Sequence, residues 1–277
     1  MSAGSLRPVA FVGGGQMALA LAEGFGRVGL IAAAEIAVHD PAPEATARFA
    51  ARVPGVRVAS DNAAAVRGAP LVFLAVKPQH AEAACREAAG ALAGDATVVS
   101  IVAGVPIATL AAWLGSSRIV RVMPNTPCLI GKGVSAVSRS ASVPAATAAE
   151  VSRLLTTVGS VHDVDERLLD AVTGLSGSGP GFVTLLIEGL IDGGVKAGLP
   201  RALARELALG TVAGTAALVA ESGEHPAVIR DRVTSPAGTT IAGLAVLERR
   251  ATRGALVDAV VAATDRAAEL GRGSASG

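Results

Sequence analysis

The 277 residues contain no tyrosine, a single tryptophan and five phenylalanines, so aromatics are only 2% of the chain. A mechanism built on a catalytic tyrosine is excluded, and a reader of single-stranded nucleic acid would lack its stacking platforms. Charge of one sign is lacking too. The formal net charge is +1, which leaves no basic surface for a phosphate backbone or anionic lipid. Cysteine is limited to Cys85 and Cys128, which form neither a zinc spacing nor a disulfide framework, so no metal is expected and a reducing, cytoplasmic setting is. Although the mean hydropathy is +0.53, no apolar run of about 18–20 residues escapes interruption by charge or helix breakers, so no membrane span is expected. Residues 1–8 are too short and polar for a signal peptide. What is present is a large apolar fraction, 51%, against 17% charged residues. That composition builds a sizeable core rather than a disordered chain, and the length suits two domains.

The texture of the chain changes near residue 165. Before it, short β-branched runs at 9–12, 35–39, 56–58, 71–76, 97–102 and 118–123 alternate with alanine-rich helical stretches. Nearly all-apolar strands separated by helices predict a parallel sheet covered on both faces, a doubly wound α/β domain over residues 1–165. Runs at 133–138 and 159–163 predict a hairpin-like edge with a helix over 144–157 between them. After residue 165 the periodicity is helical, at 166–175, 180–197, 200–221 and 251–270, giving an all-α domain over 166–277. Pro180 and Pro200 are placed for first helical turns and Gly198 for a C-terminal cap. Residues 271–277, rich in Gly and Ser, are expected to fray. Leu203, Leu207, Leu209, Val212, Leu218 and Val219 leave one helix little polar surface. Such a helix needs a partner: a second subunit is the reading taken, a single compact bundle the alternative.

Directly after the first strand, Gly13-Gly14-Gly15-Gln16-Met17-Ala18 fits the G-x-G-x-x-A pattern. The first glycine suits a tight turn, Gly15 the close approach of a pyrophosphate, and Ala18 the packing of helix on sheet. Asp40, about 22 residues beyond Ala18, is placed to accept from a ribose 2′-hydroxyl, which favours NADH over NADPH by charge. Equally, Asp40-Pro41 could cap the next helix, so cofactor preference stays open. Ala75-Val76-Lys77-Pro78 and the stretch Ser100 to Gly104 end two further strands on the same crevice. Lysine is scarce, three against 21 arginines, which draws notice to Lys77, although a solvated surface lysine reads the same way.

Two strings mark the second half. Gly174-Leu175-Ser176-Gly177-Ser178-Gly179-Pro180-Gly181 reads as a loop with surplus backbone N–H groups that something approaches closely. Thr234-Ser235-Pro236-Ala237-Gly238-Thr239-Thr240 introduces a helix running to about Leu247. Its hydroxyls and N–H donors suit a carboxylate, or serve only as an ordinary N-cap.

These residues carry a resemblance. The chain resembles the pyrroline-5-carboxylate reductases over nearly its whole length: in residues 12–17, Ala75-Val76-Lys77-Pro78, Arg121-Val122-Met123-Pro124-Asn125-Thr126-Pro127, and in the stretches 170–180, 192–200 and 233–244. The resemblance implies a Rossmann domain binding NADPH or NADH and a helical domain that interlocks with a twin into an obligate homodimer, with rings of dimers as a further assembly. By position, Val12, Gly13, Gly14, Gly15, Gln16 and Met17 would hold the pyrophosphate, with Asp40 and Asn62 near the adenosine ribose. Ala75, Val76, Lys77 and Pro78, with Ile101, Val102 and Ala103, would line the cofactor toward its nicotinamide. Glu166, Gly238, Thr239 and Thr240 would hold the substrate, and Ser176 would begin a wall between substrate and cofactor. Asp40, Ala237 and Arg232 depart from the family's usual residues, in the direction of NADH at Asp40.

The implied chemistry fits the missing tyrosine. A ketone reductase must protonate an alkoxide, whereas a protonated cyclic imine only needs hydride placed on its carbon. The expectation is that N–H groups of Gly238, Thr239 and Thr240 grip the carboxylate of a small-molecule substrate while the Thr240 hydroxyl, the catalytic candidate, contacts the ring nitrogen. The rival readings are a β-hydroxyacid or prephenate type of dehydrogenase, for which Lys196 is the one lysine of the second half, and a non-catalytic nucleotide sensor.

Overall fold

The computed structural model describes residues 7–274, without the side chains of 272–274. In chain order, the first half runs β1 (Val9–Val12), α1 (Gln16–Arg27), β2 (Ile36–His39), α2 (Pro43–Arg52), β3 (Arg57–Val58), α3 (Asn62–Val66), β4 (Leu71–Leu74), α4 (Pro78–Ala89), β5 (Thr97–Ser100), α5 (Ile107–Leu114), β6 (Ile119–Met123), β7 (Gly133–Arg139), α6 (Ala145–Thr156) and β8 (Gly159–Asp163). Helices follow: α7 (Leu169–Val172), α8 (Gly179–Lys196), α9 (Arg201–Ser222), α10 (Pro226–Arg232), α11 (Thr239–Arg249) and α12 (Thr252–Ser274).

The eight strands form one sheet in the order β3-β2-β1-β4-β5-β6-β7-β8, the doubly wound α/β arrangement expected. The order reverses between β1 and β4, and at that point the helices switch faces. Side chains of a strand alternate between faces, and here both faces are dry. Val9 and Phe11 enter one core with Leu71 and Phe73. Ala10 and Val12 enter the other with Val72 and Leu74. The scarce aromatic residues concentrate in the first core, where the Phe11 ring lies 5.2 Å from Phe73, 5.7 Å from Phe49 and 6.2 Å from Phe25.

The edge of the sheet differs from the expected hairpin. β7 runs antiparallel to β6, and β8 runs parallel to β7 with α6 as the crossover. Twelve helical residues between β7 and β8 return the chain to the starting end of β7, which a two-strand turn would not do.

The glycine- and serine-rich string is not a loop. Thr173–Gly177 is a π turn, closed by Ser178 N–H donating to the Thr173 carbonyl at 2.9 Å, and α8 begins at Gly179. Small residues read as a loop in sequence because they are poor helix formers. α10 was not foreseen, and Pro200 is the N-cap of α9 rather than its first residue. Gly198 does end α8, at φ 103°. Of the tail expected to fray, residues 271–274 continue α12, and 275–277 lie outside the described residues.

By packing, the chain forms two compact units: residues up to Ser178 with those from Ala262 onward, and Gly179–Val261. Within the second, α8 and α9 meet where a Cβ added to Gly194 would stand 3.1 Å from Ala204 Cβ. Only Ala204 and Ala208 of α9 are buried. Leu185 is 68% exposed, Val233 60% and Leu190 53%, so the bundle does not cover its own apolar faces.

Phe11 occupies the centre of the aromatic cluster, and Phe11→Ala should lower the unfolding free energy by about 3–5 kcal/mol. Urea unfolding followed by far-UV circular dichroism measures this, and a loss below about 1 kcal/mol would mean the cluster closes over the gap.

Candidate functional site

The glycine turn is built by three strand ends. Gly13 has φ 98°, open to glycine and strained for other residues, and its N–H donates to the His39 carbonyl at 2.8 Å. A Cβ there would come within 2.7 Å of the Ala75 carbonyl oxygen. Ala75 N–H in turn donates to the Val12 carbonyl at 2.8 Å, and Ile101 N–H to that of Leu74 at 3.0 Å. Residues 12–15, 39–40, 75–78 and 101–103 thereby share the carboxyl edge of the sheet at the switch point.

Gly15 is the N-cap of α1, with no side chain capping the helix and open space where its Cβ would be. The first-turn N–H groups of α1 are donors that no side chain satisfies, beside a surface with room for a ligand. That is a cradle for an anion such as a pyrophosphate. Gln16 is exposed, and Met17 packs partly against the core.

Asp40 has two bonds to backbone. Oδ2 accepts from Gly14 N–H at 2.8 Å and Oδ1 from Ala42 N–H at 2.9 Å. The carboxylate braces the glycine turn and the entry to α2 together, and each oxygen keeps a further lone pair. Asn62 is 7% exposed. Its Nδ2 donates to Glu87 at 2.7 Å and its backbone N–H to the same carboxylate at 3.1 Å. Lys77 is exposed and is the N-cap of α4, with Pro78 as the first helical residue. Val102 is 2% exposed in the second core, so it offers the crevice backbone only, whereas Ile101 and Ala103 are partly exposed.

Glu166 lies elsewhere in the same unit. Its Oε1 accepts from Ile107 N–H, at the start of α5, at 2.7 Å and from Arg121 at 3.3 Å. Arg121, 6% exposed, also reaches Asp170 at 3.4 Å. A cleft of about 520 Å³ opens beside Glu166, lined also by residues 137–140 and 163–165. It belongs to the β7–β8 edge, not to the switch point where the glycine turn stands.

Ser176 is tied to the end of β6. Asn125 Nδ2 donates to the Ser176 carbonyl and to its hydroxyl, both at 3.3 Å, while Asn125 Oδ1 accepts from Val134 N–H at 2.9 Å. Arg121 and Asn125 entered the sequence reading only as part of a motif, without a role at the site, and Glu87 did not enter it. The available signals were an arginine inside an all-apolar strand and an asparagine between two prolines.

In the second unit, Gly238 is the N-cap of α11, with Thr239 and Thr240 in its first turn and no side-chain cap. The Gly238 N–H is not free for a ligand as expected, since it donates to the Ser235 carbonyl at 3.1 Å. Pro236 and Ala237 are the central residues of that turn, and Ala237 has φ 55°, a conformation that costs a non-glycine residue about 1 kcal/mol. Arg232 forms two bonds to Glu224, at 2.5 and 2.6 Å.

Other chemistries find little support in the side chains. Burial pushes the Cys85 thiol up to about 12 and raises that of Cys128, opposite to what a nucleophilic cysteine needs. His39 Nδ1 lies 3.1 Å from the Ala59 carbonyl, and His225 Nδ1 accepts from Ala227 N–H as a helix cap.

Residues 166–270 match the family model described as pyrroline-5-carboxylate reductase dimerisation, and residues 8–104 match that described as NADP oxidoreductase coenzyme F420-dependent. Pyrroline-5-carboxylate reductase of Synechocystis sp. is 44% identical over 94% of this chain and 97% of its own. That of Pisum sativum is 41% identical over 94% of each. The crystal structure of Plasmodium falciparum pyrroline carboxylate reductase with NADP bound superposes with a TM-score of 0.87 at 32% identity, covering 96% of this chain and 98% of that one. Similarity of this degree along nearly the full length of both sequence and fold places the chain in the pyrroline-5-carboxylate reductase family.

Proposed function

We propose that the protein reduces L-1-pyrroline-5-carboxylate to L-proline with NADPH or NADH. The observation that carries this reading is the uncapped glycine turn at the switch point in a chain so similar to these reductases. When bound, the reduced nicotinamide supplies the hydride for the imine carbon.

The chain's own residues bind and orient. Residues 12–17 hold the pyrophosphate through the N–H groups of α1. Asp40 and Asn62 face the adenosine ribose, and residues 75–78 and 101–103 flank the nicotinamide side. With Gly238 N–H engaged by Ser235, the grip on the substrate carboxylate passes to Thr239 and Thr240 N–H, and the Thr240 hydroxyl contacts the ring nitrogen. Glu166 bears on the substrate side through the Ile107 and Arg121 contacts it already makes. No acid has to protonate an alkoxide, which accords with a chain lacking tyrosine and with His39 and His225 engaged in backbone contacts.

The 166–196 and 201–222 helical stretches are long and apolar enough to cross a membrane by length and composition. Both lie within the region matched to the dimerisation family, and we assign their apolar faces to a twin subunit, the homodimer being the functional unit and rings its higher assembly. The buried thiols fit a reducing cytoplasm.

Initial rates at about 340 nm with racemic pyrroline-5-carboxylate, NADH and NADPH in parallel, test the reaction. No turnover by folded, cofactor-binding protein would sink it. Asp40→Ser should raise the NADPH-to-NADH ratio of kcat/KM about tenfold or more, by removing a charge that opposes a 2′-phosphate; an unchanged ratio would limit Asp40 to bracing the turn. Thr240→Ala should keep cofactor affinity and lose about one to three decades of kcat/KM, and full activity would remove Thr240 from the mechanism. Lys196, the exposed last residue of α8, discriminates the rival: Lys196→Met should change kcat only modestly, whereas an acid/base lysine would abolish it.

A further inference from the structure

The π turn at Thr173–Gly177 leaves one backbone carbonyl in need of a donor. In an α-helix the Ser176 carbonyl would accept from residue 180, but residue 180 is proline and has no N–H. Asn125 supplies the bond, and the same Nδ2 also donates into the Ser176 hydroxyl oxygen, each at 3.3 Å. The amide cannot be turned round at no cost, because Oδ1 is held by Val134 N–H at 2.9 Å. A hydroxyl that accepts from Asn125 still carries its own proton, so the network orients Ser176 as a donor toward a third group. Gly177, with no side chain, lies against Met123 at the end of β6.

The location indicates what that third group is. Asp40 ends β2, on the adenosine side of the switch point, so a dinucleotide crossing between β1 and β4 carries its nicotinamide toward β5 and β6. Asn125 stands two residues beyond the end of β6. Resting on the reductase reading above, we propose that Asn125 is a positioning residue that aims the Ser176 hydroxyl as a hydrogen-bond donor at the nicotinamide carboxamide, and so fixes which face of the ring meets the imine. The carboxamide oxygen is the acceptor borne by the nicotinamide ring itself, and pinning it removes rotation about the bond to the ribose, a contribution through orientation.

The test compares binding of NADH with binding of ADP-ribose, which lacks the nicotinamide, by calorimetric titration without any imine. Asn125→Ala and Ser176→Ala should each weaken NADH about 3–10-fold, the scale of one hydrogen bond, and leave ADP-ribose unchanged. The double variant should be no weaker than Ser176→Ala, because the two side chains act through one contact. Asn125→Asp keeps an acceptor for Val134 N–H but offers no donor, so it should match Asn125→Ala in NADH binding with a smaller change in Tm. With imine present, kcat should fall about tenfold in all of them. Equal weakening of NADH and ADP-ribose, no weakening of either, or additive losses in the double variant would overturn the assignment. Absence of imine turnover in the unaltered enzyme would instead strike the reaction, and because the binding split is read without imine the two failures are separable.

Discussion

The close approach of Gly13 to Ala75 is the constraint on which the rest of the nucleotide site depends. The turn after β1 must pass within van der Waals reach of the carboxyl end of β4, and a Cβ at Gly13 would collide with the Ala75 carbonyl. With that contact made, His39 and Asp40 can bond the turn from the other side, and α1 starts with its N–H groups aimed along the crevice. Four strand ends are thereby registered to one another chiefly by backbone bonds, with the Asp40 carboxylate as the one side-chain brace described. A preorganised donor set of this kind needs no rearrangement when an anion arrives.

Much of this was legible in the sequence for a simple reason. Strands buried on both faces must be apolar at nearly every position, so β1, β4 and β5 stand out as short Val/Leu/Phe runs between helices. The glycine turn is legible because the chemistry requires glycines at fixed spacing after such a run. At the β7–β8 edge the helix over 144–157 was legible but the strand direction was misread as hairpin-like, although a helical crossover returns the chain for parallel pairing. The string from Gly174 to Gly181 misled through composition. Small residues there accommodate a widened helical turn against Met123, and the same residues would make a loop elsewhere. The contacts of Asn125 with Ser176, Arg121 with Glu166 and Glu87 with Asn62 span 25 to 51 positions along the chain, so no local pattern announces them.

The helical unit is governed by the opposite condition. Its helices have apolar residues all round, and a bundle of Gly179–Val261 is too small to enclose them. What a single chain leaves exposed includes large apolar side chains of α8, α9 and α11, and the match to a dimerisation family over 166–270 points to the kind of cover they take. If the proposed twin subunit supplies that cover, stability of this half is tied to protein concentration in a way that the sheet half is not.

On the proposed reading Asp40 would perform two tasks with one carboxylate, because the oxygens assigned there to the ribose also bond Gly14 and Ala42. Coenzyme choice would then be coupled to the shape of the turn. A lineage that exchanged the acid for a neutral residue to admit a second phosphate would also lose the brace on its own glycine loop. Drift between the two coenzymes would then proceed through paired changes, one at residue 40 and a compensating one in the turn or at the entry to α2. Residue 40 is in this sense an evolutionary ratchet: easy to keep and awkward to leave.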